Sequence, residues 1–264
     1  MASASRVRAI LRKELLELAS NRGLLGSLCA LPAVMTVVPC ALALSYRLNP
    51  NDVNVEAIAR YYQVFQRGVL PGASLIEATA KQWLSLYLVT PMFLPVLIAS
   101  QAVAGEKEKR TIEPLLASPA TGAEILLGKS LAAVLPATLI TWVFFLLFSA
   151  GMNVIAWPLL HRTIVPNAIW LFAMLVVAPL LALMGNAISV AISARLGDPR
   201  LTQQIAGLCV MPAVGLAVMQ LVSLRDLQLA QYGVVAVIVA VIDVIVLAVA
   251  ARLFDRERIL TRWG

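Results

Sequence analysis

Few residues in this chain are equipped for chemistry, and their spacing limits what that chemistry can be. Ala123-Glu124-Ile125-Leu126-Leu127-Gly128-Lys129-Ser130 fits a relaxed phosphate-loop pattern, with Ala at the first glycine position. A phosphate loop needs small residues, so that successive backbone N–H groups can turn inward, and it needs a strand before it. Glu124 to Leu127 are bulky, and an apolar run follows. No nucleotide site is therefore predicted, and Gly128-Lys129 reads as the basic mouth of a membrane helix. Ser130 could be a nucleophile with His161, the only histidine, as its base. If the run between them spans a bilayer, the two lie about 30 Å apart on opposite faces. That separation removes the pair, and no close pair of carboxylates replaces it. Cys29, Cys40 and Cys209 lie in apolar runs, odd in number and without CxxC spacing, so they predict neither a disulfide framework nor a metal site.

Two features remain. Asp243 is a carboxyl placed deep in an apolar run, between Val239-Ala240-Val241-Ile242 and Val244-Ile245-Val246-Leu247. An acid near the bilayer centre costs about 2.5–3.5 kcal/mol on insertion scales, so it must face other helices or water. It is either a pathway or coupling residue, with Asn186 a second candidate for the translocation path, or a protonated or hydrogen-bonded packing contact to Asn186, Gln203, Gln204 or a backbone carbonyl. Both readings stay open on sequence. The second feature is Gly105-Glu106-Lys107-Glu108-Lys109-Arg110-Thr111-Ile112-Glu113-Pro114-Leu115-Leu116-Ala117-Ser118-Pro119, the most charged part of the chain. Water must surround Glu106 to Glu113, since unpaired charges in hydrocarbon cost several kcal/mol each. Ile112, Leu115 and Leu116 recur at i, i+3 and i+4, which predicts a short amphipathic helix at a membrane surface.

The elements that position these residues follow from composition. Of 264 residues 61% are hydrophobic and 13% charged, whereas soluble domains carry about 25% charged residues. So apolar a chain predicts an all-α integral membrane protein, with six runs near the bilayer-spanning length of about 20 residues: 24–44, 83–103, 125–150, 167–194, 201–224 and 232–251. The net charge of +7 does not call for nucleic acid, because the bases flank the apolar runs, as loop anchors do.

Ahead of the first span, 6–21 puts Val7, Ile10, Leu11, Leu15 and Leu18 on one helical face and Arg8, Arg12, Lys13, Glu14 and Glu17 on the others. The pattern predicts an interfacial amphipathic helix. The charged residues before the first apolar run are unlike a signal peptide, so no cleavage is expected. Residues 45–82 are expected outside the membrane core, with a second amphipathic pattern in Val55, Ile58, Ala59, Tyr62 and Phe65, and with Trp83 and Tyr87 as interfacial anchors of the next span. With the N-terminus inside, fifteen of the 21 Lys and Arg residues fall in cytoplasmic segments. The other six are Arg47, Arg60, Arg67, Lys81, Arg162 and Arg225. The asymmetry predicts that both termini and the 105–119 stretch are cytoplasmic.

The 105–119 stretch, followed by Glu124-Ile125-Leu126-Leu127-Gly128-Lys129, resembles the cytoplasmic signature between the second and third helices of ABC-2-type transporter permeases. Arg12-Lys13-Glu14-Leu15 and the tail Leu253-Phe254-Asp255-Arg256-Glu257-Arg258-Ile259-Leu260 are weaker echoes, so the resemblance covers essentially the whole chain. It implies a permease subunit of an ABC exporter in the cell (inner) membrane, working as a dimer with itself or a related permease and driven by two separate ATPase subunits. ATP and Mg would bind the ATPases, with no cofactor in this chain. It also implies that 105–119 is a coupling helix, whose ATPase contacts would involve Glu106, Lys107, Glu108, Lys109, Arg110, Thr111 and Glu113. The N-terminal helix with Arg12 and Lys13 would lie beside it. Arg110 departs from the family pattern, where Gly is frequent, and should stiffen the helix start. The competing classes are an ATP-independent secondary transporter, which an inverted repeat would favour and none is convincing here, and a membrane scaffold. A membrane enzyme fails for want of catalytic groups.

Overall fold

The computed structural model describes residues 2–49, 72–108, 121–193, 196, 198–223 and 228–253. Among them every regular element is helical: α1 Ala2–Ser20, α2 Arg22–Leu48, α3 Gly72–Tyr87, α4 Val89–Glu108, α5 Gly122–Leu160, α6 Ala168–Phe172, a π-helical turn Ala173–Val177, α7 Ala178–Ser193, α8 Pro199–Ser223 and α9 Leu229–Leu253. Five stretches are long and apolar enough to cross a membrane: Arg22–Leu48, Leu75–Ser100, Gly122–Leu160, Ala168–Ser193 and Leu229–Ala248. The remaining expected span, 201–224, falls on the 25 residues of α8.

Local chemistry sets the joints. Asn21 ends α1 and starts α2, its side chain accepting the Leu24 N–H at 3.0 Å. Asn side chains do this at helix starts, where the first N–H groups have no intrahelical partner. The turn at Leu88 between α3 and α4 lies just ahead of Pro91, which has no N–H to give the Tyr87 carbonyl and whose ring crowds it. Thr121 and Glu124 form a capping box at the head of α5, with Thr121 N donating to Glu124 Oε2 at 2.7 Å and Glu124 N to Thr121 Oγ1 at 3.2 Å. At its far end α5 closes on His161, left-handed with φ 48°.

Helical structure overruns the expected boundaries. Residues 72–82, expected outside the membrane core, continue the second span inward: Leu75, Ile76, Thr79 and Ala80 are buried, while the i,i+4 pair Glu77 and Lys81 turns away from them. Glu77 accepts from Arg162 at 2.8 Å. Tyr87 is not an interfacial anchor. It is fully buried and packs with Phe145, Phe148 and Trp170 at ring-centroid distances of 5.7–6.4 Å. The expected surface helix near 55–67 lies outside the described residues.

Leu75–Ser100 is the axis of the bundle, with 72% of its apolar window buried against 22% for α2 and for α9. Around it α2, α5, α7 and α8 pack on α3 and α4, and α9 packs on α7. The outward faces of α2 and α9 carry Val34, Val37, Val38, Val237, Val241, Val244 and Ile245, all exposed within the single chain. In a bilayer such residues face acyl chains or another apolar helix, since neither water nor a polar partner suits them. α4 crosses α7 at close range: a Cβ added at Gly185 would stand 2.0 Å from the Met92 carbonyl oxygen. Only glycine lets the two backbones approach so closely.

The connection after α5 is fixed by side chains of α5 itself. Asn153 Oδ1 accepts from the N–H of Ile164 and of Val165, Asn153 Nδ2 donates to the Val165 carbonyl, and Ser149 Oγ donates to the same carbonyl at 2.8 Å. The π turn leaves the Met174 carbonyl free for the indole N–H of Trp142, which donates to it at 2.8 Å.

Candidate functional site

Among the described residues two places combine charge with burial, the head of α5 and Asp243 on α9. The first is built by α1. Its expected apolar face, with Val7, Ile10, Leu11, Leu15 and Leu18, is the shielded one, and it meets the first turns of α5. Contact is close because residue 128 is glycine: a Cβ there would stand 2.7 Å from Ile10 Cγ2 and 3.4 Å from the Val7 carbonyl oxygen. One residue on, Lys129 Nζ donates to Glu14 Oε1 at 2.9 Å, with the lysine side chain only 2% exposed and the glutamate 11%. Arg6 Nη1 lies 3.6 Å from Glu124 Oε2, so a second ion pair joins the same two helices.

Lys129, near the mouth of this helix, is therefore buried and not solvated. Burial forbids it an unpaired charge, and Glu14 supplies the partner. Gly128-Lys129-Ser130 lies inside a continuous helix, whose N–H groups are committed to carbonyls one turn back and cannot cradle a phosphate. Ser130 and His161 stand toward opposite ends of that helix, roughly 45 Å apart at 1.5 Å per residue, which excludes them as a catalytic pair.

Of the residues assigned to ATPase coupling, Arg12 and Lys13 are exposed on α1, with Lys13 Nζ 3.4 Å from Glu14 Oε1 and 3.7 Å from Glu17 Oε2. Glu106, Lys107 and Glu108 are the last residues of α4. Lys109, Arg110, Thr111 and Glu113, and with them the short amphipathic helix, lie outside the described residues. Glu14, Arg6, Glu124 and Lys129 were not singled out for a site. Glu14 follows Val7 by seven residues and Ile10 by four, a spacing that puts it on their face of a helix, and Thr121-Gly122-Ala123-Glu124 is a capping-box signature.

In the second place Asp243 is buried, at 4% exposure, with Asn186 at 1% and Ser189 and Thr90 at zero. Both carboxylate oxygens, both polar atoms of the Asn186 amide and the two hydroxyls find no hydrogen-bond partner among the described residues. Hydrogen bonds from Asp243 to Asn186, Gln203, Gln204 or a backbone carbonyl are absent among the described residues. Asn186 and Ser189 share a face of α7 three residues apart, a stripe visible in the sequence once 167–194 is read as helix. Cys29, Cys40 and Cys209 are free thiols.

A bundle of long apolar helices defines a multi-pass membrane protein. Its family is shown by comparison: residues 8–228 match the model for the ABC-2 family transporter protein, and the chain belongs to that family. It is thus a permease subunit of an ABC transporter, whose family implies ABC ATPase partners. No curated protein matches the chain.

Proposed function

We propose that this chain forms the translocation path of an ABC exporter as a dimer, with ATP hydrolysed on two separate subunits that dock from the cytoplasm. Family membership over 8–228 carries the reading. In it the chain crosses the membrane six times with both termini cytoplasmic, α1 lies along the inner surface, and 105–119 is the coupling helix. Glu106, Lys107, Glu108, Lys109, Arg110, Thr111 and Glu113 meet the ATPase, and Arg12 and Lys13, exposed on α1, border that contact. Asp243 and Asn186 belong to the path, a reading supported by their burial without partners, because an intramembrane acid is retained where function needs it. ATP and Mg are held by the partner ATPase.

The test is reconstitution with the cognate ATPase in proteoliposomes. Substrate accumulation should require ATP and should stop with an ATPase subunit unable to hydrolyse it, while isolated permease binds no ATP. Transport that persists without hydrolysis would replace this reading with a secondary transporter. Lys129-dependent nucleotide binding by the permease alone would refute the assignment of hydrolysis to a partner.

A further inference from the structure

The outward side of α1 carries charge that nothing nearby balances, beside a cluster that belongs at membrane depth. Contacts between α1 and α5 advance in the same order along both helices: Arg6 reaches Glu124, Val7 and Ile10 face Gly128, and Glu14 binds Lys129. Leu18, one turn further on, is buried in a cluster with Leu28 of α2, Leu94 of α4 and Ala133 and Ala137 of α5. Along the head of α5, therefore, the C-terminal end of α1 is the deeper one, and Asn21 alone separates it from α2.

The acids of α1 are already engaged, Glu14 with Lys129 at 2.9 Å and Glu17 with Lys13 at 3.7 Å. Arg8, Arg12 and Arg22 are exposed and make no ion pair among the described residues. Arg8, Arg12 and Leu16 fall at i, i+4 and i+8, so they form one row down the side of α1 away from α5. Leu16 is 62% exposed. The row passes from charge to an apolar side chain over about 12 Å, which matches the step from a headgroup layer about 5–8 Å thick into hydrocarbon. Arg22 opens α2, and Leu28 in the buried cluster lies about 9 Å further along that helix. An acidic protein surface would match the arginines and leave Leu16 in water. A lipid matches both, since guanidinium groups hold phosphate oxygens through paired N–H donors and an acyl chain covers the leucine.

We propose that Arg8, Arg12, Leu16 and Arg22 form a binding surface for anionic lipid, with the phosphate on the arginines and an acyl chain on Leu16. α1 is then held from two sides, by α5 through Arg6 and Glu14 and by the leaflet through its outward row. The surface depends on the multi-pass fold and not on the exporter reading, so its failure leaves that reading standing. Arg12 also borders the ATPase contact of that reading, and the test therefore turns on Arg8 and Arg22.

Detergent-purified permease is titrated with a fluorescent short-chain phosphatidylglycerol, with short-chain phosphatidylcholine and inorganic phosphate as competitors. Binding should saturate, resist both competitors and weaken as salt is raised, because exposed charges are screened. A base beside an anionic membrane surface contributes about fivefold. Arg8→Gln and Arg22→Gln should each weaken binding by about that factor, and together by roughly twenty- to thirtyfold, with the size-exclusion profile of the parent. Each single variant keeps the test readable if the double one does not fold. Leu16→Ser should weaken binding several-fold, and Arg162→Gln, which removes an exposed base at the far end of α5, should bind as the parent does. An equal loss in Arg162→Gln, parent affinity in the Arg8 and Arg22 variants, or displacement by inorganic phosphate overturns the proposal. So does retained lipid binding with loss of a co-purified ATPase, which would assign the arginines to a protein contact.

Discussion

Lys129 and Glu14 are separated by 115 positions in the chain yet share a contact from which water is nearly excluded. Removing one member of such a pair leaves the other charged and unsolvated, which costs about 3–5 kcal/mol, whereas replacing both with apolar residues of similar size is often neutral. Lys129→Met should therefore lower the melting temperature of the solubilised permease sharply, Glu14→Leu should do the same, and the double variant should recover most of the loss. Thermal aggregation followed by size exclusion measures all three. Additive losses in the double variant would mean that the residues act separately. The Arg6–Glu124 pair gives a contrast, because Arg6 is 39% exposed and surface pairs contribute about 0–1 kcal/mol. Arg6→Ala should change stability little. The half of each contact that depends on local spacing is legible in the sequence, since Glu14 shares a face with Val7 and Ile10. The partner is not, because a pairing across 115 positions is set by how helices pack and leaves no local periodic trace.

At the scale of helices, two glycines set how closely backbones approach, and they differ in what can yield. At Gly128 the obstacle is the Ile10 side chain, with the Val7 carbonyl at 3.4 Å. Gly128→Ala should push α1 away from α5 and cost about 1–3 kcal/mol, as overpacking does, and Ile10→Ala should restore part of that. At Gly185 the obstacle is the Met92 carbonyl oxygen at 2.0 Å, which no side-chain substitution can remove. Gly185→Ala should abolish the folded permease, with fluorescence-detected size exclusion as the readout, and a normal monodisperse peak would show that α4 and α7 can separate at low cost. The places where helices exist were plain from apolar runs, while their ends were less so. The third span is expected to end at 150, yet α5 continues through Gly151 and Pro158 to Leu160. Propensity is a weak prior beside packing, and here Gly151 lies against Cys40 of α2, with a Cβ there 3.0 Å from the sulfur, while Met152, Ile155 and Ala156 are buried. Residues 72–82 misled for a related reason: Glu77 and Lys81 made the segment polar on average, although Leu75, Ile76, Thr79 and Ala80 form a buried face.

The whole molecule hangs the 105–119 stretch between two anchored ends. Before it runs α4, part of the most buried span and locked to α7 at Gly185. After it comes the head of α5, where α1 is clamped by Gly128, Lys129 and Glu124. A displacement of the stretch must therefore reach the core through α4 and α1 through α5, since packed helices shift as rigid bodies between discrete arrangements. Orientation is checked first. In a cysteine-free variant, a single cysteine at position 109 should react with impermeant reagent from the cytoplasmic side and one at position 60 from the other, and the reverse pattern would invert the topology. Coupling follows from that orientation. A charge pair at a partly desolvated protein interface contributes about 1.5–7 kcal/mol, so reversing charges at the contact should weaken docking by orders of magnitude. Glu106→Lys with Glu108→Lys changes residues at the end of α4, beyond its apolar part, so insertion and the size-exclusion profile should stay as in the parent. Co-purification of the ATPase should fall, and substrate-stimulated hydrolysis with it. Reversing Arg12 and Lys13, both exposed on α1 although Lys13 Nζ also lies 3.4 Å from the clamp's Glu14 Oε1, should give a milder form of the same defect. If the doubly reversed permease still retains its ATPase and transports at the parent rate, the stretch is a solvated loop and the drive must enter through another cytoplasmic surface.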